Sequence, residues 1–183
     1  ETEDVRQPGK NSPRKNLLRN QRTIMSPKKI LFLCTGNSAR SILAEYILRK
    51  KDPIRFETFS AGSNPKEHPH PLALKILKER FVIDASDARS KSWDEFKGTH
   101  FDFVITVCDN ARETCPVWPG QPIVAHWGSP DPAAVPDEEA DKAFVDVSTQ
   151  IARRIDLLLN LPIEKLDSLR TKIAKATEEI GEQ

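Results

Sequence analysis

The sequence predicts an α/β fold in which a four-stranded parallel sheet carries helices on both faces. Short apolar runs of strand length alternate along the chain with longer segments whose apolar residues recur at helical spacing. The most continuous apolar run, Phe101 to Val107, is typical of a central parallel strand that is covered on both faces. Such an alternation favours right-handed crossovers, and ligands of these sheets bind beyond the carboxyl ends of the strands.

The first half of the chain supplies two strands and the helix between them. Ile30 to Leu33 is an apolar run of strand length, and Phe56 to Ala61 is the next such run. Between them, Ile42 to Lys50 has apolar residues at helical spacing, and Asp52-Pro53 stops the helix. We therefore expect a strand-helix-strand unit at the start of the sheet.

The second half continues the alternation. Pro71 to Arg80 is predicted as a helix, because proline fits the first turn and the apolar residues share one face. Trp93 and Phe96 anchor a short helix after Ser92, and Ile123 to Ala125 offers a fourth strand.

Two helices are predicted at the end of the chain. The first opens at Asp137, because acidic residues favour the positive end of a helix. Its predicted core face consists of Phe144, Val147, Ile151, Ile155 and Leu158. The second opens at Pro162, and its predicted apolar side consists of Ile163, Leu166, Leu169, Ile173 and Ile180.

The chain divides into a tail and one domain. Residues 1–26 combine prolines, amides and basic side chains without an apolar face, so we predict a disordered N-terminal extension. Residues 27–183 are predicted to form a single α/β domain that includes the C-terminal helix.

Composition excludes several classes of function. The 183 residues include 28 basic and 27 acidic side chains, a net charge of +1 that offers no general attraction to nucleic acid or membranes. No apolar run approaches the roughly 20 residues of a membrane span, and no secretory signal pattern precedes Met25. Three cysteines is an odd number, which fits working thiols in a reducing compartment. We expect a cytoplasmic monomer.

The stretch between the first strand and its helix predicts an oxyanion site. Backbone N–H groups at a strand-to-helix turn point into one concavity, and Gly36 and Asn37 tolerate the positive φ that such a turn uses. Arg40 adds a planar fork of donors, and we expect Arg40, Ser41 and the helix N-terminus to make Cys34 a thiolate. The predicted oxyanion-binding residues are Thr35, Gly36, Asn37, Ser38, Ala39 and Arg40. Alternatively, Cys34 is a small buried hydrophobe.

This Cys-x5-Arg-Ser pattern resembles the phosphate loop of the low-molecular-weight tyrosine phosphatases and of the arsenate reductases that share their fold. A second cluster of cysteines distinguishes these families. Cys108 and Cys115 are seven positions apart, and they would form a disulfide if the segment between them bends or loops out. Alternatively they are unrelated, or they bind zinc with His126, although the spacing lacks the close cysteine pair that zinc sites favour.

With these thiols and the block His126 to Pro132, residues Lys28 to Leu161 resemble the thioredoxin-coupled arsenate reductases. The resemblance implies that Cys34 attacks arsenate and that Asp131 protonates the leaving oxygen. It further implies that Cys108 resolves Cys34 and that Cys115 resolves Cys108. Thioredoxin would then reduce the disulfide as an external reductant, with glutaredoxin and glutathione or a mycothiol system as the alternatives, and no cofactor or metal would be bound.

The chemistry of arsenate reduction also requires a pair of thiols. The reduction takes two electrons, and two thiols yield two electrons when they form a disulfide. The alternative is a low-molecular-weight tyrosine phosphatase, which needs one cysteine and an acid. Asp131-Pro132 is followed by Ala133-Ala134 instead of the aromatic residue usual in those phosphatases, which suggests a shallow site for a small oxyanion. A third class of function is a protein that binds an oxyanion or arsenite without turnover. For Asp131 the alternative to an acid is an ordinary turn residue, because turns commonly use Asp and Pro.

Two departures from the family pattern matter. Ala39 stands where many relatives carry another loop cysteine, so the resolving thiols for Cys34 are Cys108 or Cys115. The resemblance also implies a potassium site, which some members form near the loop. Three of its ligands match Asn37, Glu45 and Ser60, but the fourth position falls near Ser90-Lys91. An inward Lys91 would replace the ion, whereas an exposed Lys91 is the more ordinary interpretation.

Overall fold

The computed structural model describes residues 26–172 and contains the predicted sheet. All neighbouring strands pair in parallel, in the order β2-β1-β3-β4. The strands are β1 Lys28–Cys34, β2 Phe56–Gly62, β3 Phe103–Thr106 and β4 Ile123–His126. The predicted four-stranded parallel sheet is confirmed.

The helices follow the predicted alternation, with one addition. Over residues 26–172 the helices are α1 Arg40–Lys51, α2 Pro71–Phe81, α3 Asp109–Thr114 and α4 Asp137–Leu159. Two 3₁₀ turns span Trp93–Phe96 and Ile163–Lys165, and residues 166–172 are helical. Helix α3 is the addition that the sequence analysis does not predict, because a six-residue helix with Ala111 as its buried residue shows no apolar period.

Both faces of the sheet are covered, as predicted. Helices α1, α2 and α4 contact one another, and α1 lies on the face to which Ser60 of β2 points, since Ser60 donates to Glu45. Phe59 points to the opposite face because side chains alternate along a strand. There its ring packs on Phe96 and Phe101, with centroids 5.7 Å and 5.6 Å away.

The hydrophobic core lies between the sheet and these helices. The predicted core face of α4 is buried throughout. Helix α1 differs from the expectation of one apolar face, because every residue from Ser41 to Leu48 is buried. The reason is that α1 is enclosed by β1, β2, α2 and α4.

The ends of the predicted elements show the remaining differences. Phe101 lies outside β3 because its ring joins the aromatic cluster, and the Asp102 carboxylate accepts a hydrogen bond from the Lys29 N–H at 2.9 Å. Leu169 was predicted on the apolar side of the terminal helix but is 54% exposed. Ile173, Ile180 and the predicted N-terminal extension up to Met25 lie outside the described residues.

A helix long and apolar enough to span a bilayer is not found in residues 26–172.

Candidate active site

The predicted oxyanion loop connects β1 to α1. Cys34 is the last residue of β1, and α1 begins at Arg40. Asn37 takes a positive φ of 42°, as predicted for this turn. Gly36 does not have a positive φ; instead, a Cβ at Gly36 would lie 3.2 Å from the Lys66 side chain.

A second glycine shapes the loop from β2. A Cβ at Gly62 would lie 2.4 Å from the carbonyl oxygen of Thr35 and 3.0 Å from the backbone nitrogen of Asn37. Both atoms are backbone, so neither can move aside without moving the loop. Gly62 therefore permits the close approach of the oxyanion loop to the end of β2.

The Cys34 sulfur is buried among hydrogen-bonding groups. The N–H of Asn37 donates to Sγ at 3.1 Å, and the hydroxyl of Ser41 lies 2.9 Å from Sγ. The Asn37 amide donates to that hydroxyl oxygen at 2.8 Å. The Ser41 O–H is therefore available to donate to the sulfur.

Burial dominates the protonation of Cys34. Desolvation raises the pKa of Cys34, whereas the Ser41 hydrogen bonds and the Arg40 charge lower it, and nearby Cys108 raises it. The net direction is upward, which differs from the expected resting thiolate. The motif indicates the lowering groups correctly but does not show how completely the chain excludes water from the sulfur.

Behind the loop lies a buried polar network. Asn37 donates through its amide to Ser60 at 2.8 Å, and Ser60 donates to the carboxylate of Glu45. The ammonium of Lys91 lies 3.3 Å from Glu45 and donates to the carbonyl of Arg89 at 3.1 Å. Lys91 is only 9% exposed, so the interpretation of an exposed, solvated lysine is wrong.

This polar network does not fit the potassium site that the family resemblance implies. Asn37 Oδ1 accepts the N–H of Lys91 at 2.7 Å, so the amide presents its donor side to Ser60. A cation requires oxygen lone pairs, and the lysine ammonium already lies beside the Glu45 carboxylate. Among residues 26–172, no group of three or more His, Cys, Asp or Glu side chains is arranged to hold a metal ion.

Arg40 and Asp131 meet at the opening of the loop. Arg40 lies 3.1 Å from the Asp131 carboxylate and donates to the carbonyl of Ser129 at 3.0 Å. Arg154 of α4 holds the same segment, because it donates to the carbonyls of Trp127 at 2.7 Å and Gly128 at 3.0 Å. Sequence patterns give no sign of Arg154, which lies more than twenty positions from the segment that it holds.

A cavity of about 590 Å³ opens over the Cys34 sulfur. No aromatic side chain is among its lining residues in the described part of the chain. Asn64, Lys66 and Asn110 line it but were not predicted. Asn64 and Lys66 could have been predicted from their position just after β2, which places them at the same edge of the sheet as Cys34. The lining consists of Cys34, Thr35, Gly36, Ser38, Ala39, Arg40, Asn64, Lys66, Asn110, Asp131 and Ala133.

Helix α3 separates the two remaining thiols. Cys108 precedes the helix and is buried, with Sγ 3.4 Å from the Thr35 hydroxyl, and Cys115 follows the helix and is half-buried. All three cysteines are free. At a rise of about 1.5 Å per residue, the Cα atoms of Cys108 and Cys115 are about 10 Å apart. A disulfide tolerates at most about 7 Å, so the helix must unwind before this pair can join.

Comparisons with known proteins agree with this geometry. Residues 29–173 match the family described as low molecular weight phosphotyrosine protein phosphatase. An arsenate reductase from Halalkalibacterium halodurans is 38% identical over 133 residues, which cover 72% of this chain and 94% of that protein.

Two solved structures extend the likeness. "An arsenate reductase in the phosphate binding state" aligns with a TM-score of 0.62 at 29% identity, over 72% of this chain and 95% of that one. A thioredoxin-dependent arsenate reductase from Corynebacterium glutamicum aligns with a TM-score of 0.53 at 30% identity, over 74% of this chain and 65% of that one. The chain belongs to the low molecular weight phosphotyrosine protein phosphatase family, and the relatives that it resembles include arsenate reductases.

Proposed function

We propose that this protein reduces arsenate to arsenite through its three cysteines and an external dithiol. The observation that carries the proposal is the arrangement of the thiols. Cys34 lies in the oxyanion loop, Cys108 lies at the neighbouring strand end, and Cys115 lies half-buried at the far end of α3. A hydrolase needs the first thiol alone, whereas a two-electron reduction needs a pair and benefits from a third that carries the disulfide away.

The first step places arsenate in the oxyanion loop. Backbone N–H groups and the Arg40 guanidinium bind the oxygens. The Cys34 thiol gives its proton to an arsenate oxygen, and the sulfur attacks arsenic as its thiolate. The As–S bond forms as an As–OH bond breaks, and Asp131 gives the leaving oxygen a proton so that water departs. The carboxylate of Asp131, 3.1 Å from Arg40, lines the cavity into which the leaving oxygen would point.

The second step reduces arsenic. The Cys108 thiolate attacks the sulfur of Cys34, and the As–S electron pair stays on arsenic, which leaves as arsenite with arsenic(III). Cys34 and Cys108 are then joined by a disulfide, so two thiols have supplied both electrons. The Cys115 thiolate next attacks Cys108, and Cys34 is released as a thiolate for another cycle.

The last transfer requires the α3 helix to open. Its first turn is held by Asp109, whose carboxylate lies 3.0 Å from the ring of His126. The helix has only six residues, and Ala111 is its one buried residue, so opening it exposes little apolar surface. The Cys108–Cys115 disulfide would thereby reach the surface, where a reductant can attack it.

The reductant that we propose is a thioredoxin. The C. glutamicum relative is thioredoxin-dependent, which supports this class of donor, with glutaredoxin and glutathione as the alternative. A cytoplasmic location, a monomeric state and the absence of a bound cofactor stay predictions.

A second candidate is hydrolysis of phosphate monoesters, which the family match favours. Arsenate and phosphate have nearly the same shape, so a phosphoryl group on Cys34 would be hydrolysed with Asp131 as acid and then base. The cavity argues for a small free oxyanion, because no aromatic side chain of the described residues lines it to grip a phosphotyrosine ring.

One pair of assays separates the two functions. Arsenate-dependent NADPH consumption is measured with thioredoxin and thioredoxin reductase, beside hydrolysis of p-nitrophenyl phosphate by the same preparation. The reductase predicts sustained NADPH consumption that stops in Cys115→Ser after one event, with Cys34 joined to Cys108. Absent NADPH consumption with either reductant, together with hydrolysis that survives Cys108→Ser and Cys115→Ser, would leave a phosphatase.

A further inference from the structure

We infer that Arg154 is a positioning residue for Arg40 and Asp131, the two charged groups at the opening of the oxyanion loop. Arg154 is not among the residues that line the cavity over Cys34. It acts through residues 127–129, which contact helix α4 on one side and Arg40 on the other. The consequence for turnover rests on the proposed function, but the hold on this segment can be measured without arsenate.

The guanidinium of Arg154 makes three hydrogen bonds to one short segment. It donates to the carbonyls of Trp127 at 2.7 Å and Gly128 at 3.0 Å, and to the hydroxyl of Ser129 at 2.9 Å. Each bond is charge-assisted, and the planar fork of an arginine suits acceptors that stand apart from one another. Because two consecutive carbonyls are bound by the same rigid group, the peptide planes of the segment have little freedom to rotate.

The hydroxyl of Ser129 is engaged both as acceptor and as donor. It accepts from Arg154, so its hydrogen is free to reach the side-chain oxygen of Gln150 at 2.8 Å. Gln150 and Arg154 are four positions apart on α4 and therefore lie on the same face of the helix. Ser129 is only 8% exposed, and a buried hydroxyl with both partners in place fixes the residue that carries it.

The other side of the segment is attached to the end of β3. The N–H of Trp127 donates to the carbonyl of Thr106 at 2.7 Å, and the N–H of Ser129 donates to the carbonyl of Val107 at 3.2 Å. The segment thus bridges the sheet and α4, with its N–H groups on the sheet and two of its carbonyls on Arg154. Loss of the guanidinium removes these contacts on the α4 side and leaves those to the sheet.

The carbonyl of Ser129 connects the segment to the chemistry of the site. It accepts from one terminal nitrogen of Arg40 at 3.0 Å, and the other terminal nitrogen lies 3.1 Å from the Asp131 carboxylate. Pro130 joins the two acceptors, and its ring fixes φ, so a shift of residues 127–129 is passed on to Asp131. Such a shift would turn the guanidinium that binds the oxyanion and move the acid at the same time. Both groups require an exact placement for catalysis.

The hold on the segment is tested with Arg154→Met, which keeps an unbranched side chain but removes every donor. Arg153→Met is the matched control, because Arg153 is the preceding residue of α4 and is exposed. Backbone amide hydrogen exchange is measured by NMR in the fully reduced protein. We expect the Trp127 and Ser129 amides to exchange about tenfold faster in Arg154→Met, since hydrogen bonds to a charged group are lost. Arg153→Met should match the wild type.

The catalytic consequence is tested with the same variants. In Arg154→Met, kcat/KM for arsenate should fall about 10- to 100-fold, because a displacement of about 1 Å at a catalytic group costs about 100-fold. In the Asp131→Asn background the same change should cost less than about fivefold. With the acid already absent, only the placement of Arg40 is left to lose, and residues that act as a unit are not additive.

Four results would overturn the proposal. The first is equal amide exchange in Arg154→Met and Arg153→Met, and the second is an equal kcat/KM in these two variants. The third is a rise in exchange that the amides of β1 share equally, since this would reflect a general loss of stability. The fourth is a loss of kcat/KM that adds in full to that of Asp131→Asn.

Failure of the proposed function would be recognised separately. If the wild type releases no arsenite from arsenate, the reductase proposal fails, but amide exchange still decides whether Arg154 holds the segment. The kinetic comparison is then made with p-nitrophenyl phosphate, whose hydrolysis would use Arg40 and Asp131 as well.

Arg154→Lys serves if Arg154→Met does not fold. Lysine keeps the charge but replaces the planar fork with a single ammonium, so it cannot reproduce both ends of the contact. We expect the Trp127 and Ser129 amides to exchange about threefold faster and kcat/KM to fall by about the same factor. Wild-type values of both quantities in Arg154→Lys would show that a positive charge is sufficient and would overturn the proposal.

Discussion

The hydroxyl of Ser41 lies 2.9 Å from the Cys34 sulfur and receives the amide hydrogen bond of Asn37 at 2.8 Å. Ser41 is thus the last member of a chain of polar side chains that runs from the sulfur to the buried Lys91 ammonium. The Ser41 and Ser60 hydroxyl oxygens each accept a hydrogen bond from the Asn37 amide. Their O–H groups are therefore free to donate onward, from Ser41 towards the Cys34 sulfur and from Ser60 to the Glu45 carboxylate.

Ser41→Ala should weaken Cys34 as a nucleophile. Burial already raises the pKa of Cys34 and the Ser41 hydroxyl lowers it, so removing the hydroxyl raises the pKa further. The thiolate fraction below the pKa falls about tenfold per unit, and we expect Cys34 to be alkylated about tenfold more slowly at pH 8. The rate should recover as the pH rises. Ser63→Ala is the control, and equal profiles in the two variants would refute the role of Ser41.

Gly62→Ala should damage the oxyanion loop although Gly62 is not among the residues that line the cavity. The new Cβ would lie 2.4 Å from the carbonyl oxygen of Thr35, so the loop must shift. A displacement of about 1 Å at a catalytic group costs about 100-fold in rate, which is the expected fall in kcat/KM for arsenate. Gly98→Ala is the matched control, because a Cβ at Gly98 meets no atom of residues 26–172 within 4 Å. A Gly62→Ala enzyme with normal kinetics would contradict this interpretation.

The inward Lys91 should make the enzyme indifferent to potassium. Its ammonium pairs with Glu45, whose side chain is 5% exposed, in the place where the resemblance implied an ion. The rate of arsenate reduction should be equal in potassium and choline chloride. A rate that rises with potassium in the wild type would contradict the pairing.

Lys91→Ala removes one of the two cations that pair with the Glu45 carboxylate among residues 26–172, and Arg49 is the other. Since removal of one partner of a buried pair is costly, we expect a loss of about 2 to 3 kcal/mol in the free energy of unfolding, measured in urea. Lys97→Ala, which removes an exposed lysine paired with Asp94, is the control and should change stability by less than about 0.5 kcal/mol. Equal losses in the two variants would show that the buried pair adds nothing.

The fold was predictable because its signals are local. Apolar runs and helical spacing gave all four strands and the long helices, since burial of one face imposes a period on the sequence. Helix α3 was not predicted, because it buries only Ala111 and its sequence therefore shows no apolar period. The run Phe101 to Val107 was predicted as one strand, but β3 begins at Phe103 because the Phe101 ring packs into an aromatic cluster with Phe59 and Phe96.

The site was predictable only in part, because much of it is assembled from distant segments. Cys34, Arg40 and Ser41 share one loop, and their motif indicates them together. Lys66 was overlooked, although its position just after β2 places it at the same edge of the sheet as Cys34. Arg154 acts across the fold on residues 127–129, and no spacing along the chain shows that contact. The protonation of Cys34 was missed for the same reason, since burial depends on the whole fold and not on neighbours in sequence.

Val82 should limit the stability of the protein. It caps the C-terminal end of α2 in the left-handed region, with φ 54° and ψ 48°, where a β-branched residue is strained. Its side chain is 78% exposed, so Val82→Gly loses little packing. We expect the free energy of unfolding to rise by about 1 kcal/mol and Tm by about 2 to 4 °C. Val117→Gly, at a fully exposed valine outside that region, should not stabilise; a matching gain there would refute the strain argument.

Lys66 should assist the capture of arsenate from solution. It lines the cavity and its N–H donates to the Gly36 carbonyl at 2.8 Å, which fixes its backbone against the loop. Arg40 is already engaged by Asp131, so an exposed ammonium at the cavity is the cation that a dianion meets on approach. Lys66→Ala should lower kcat/KM about fivefold at low ionic strength, with kcat little changed and with a weaker dependence on salt, because electrostatic steering is screened. Lys50→Ala, on the far end of α1, should leave all three quantities unchanged. A Lys66→Ala enzyme that keeps the wild-type salt dependence would show that Lys66 does not attract the substrate.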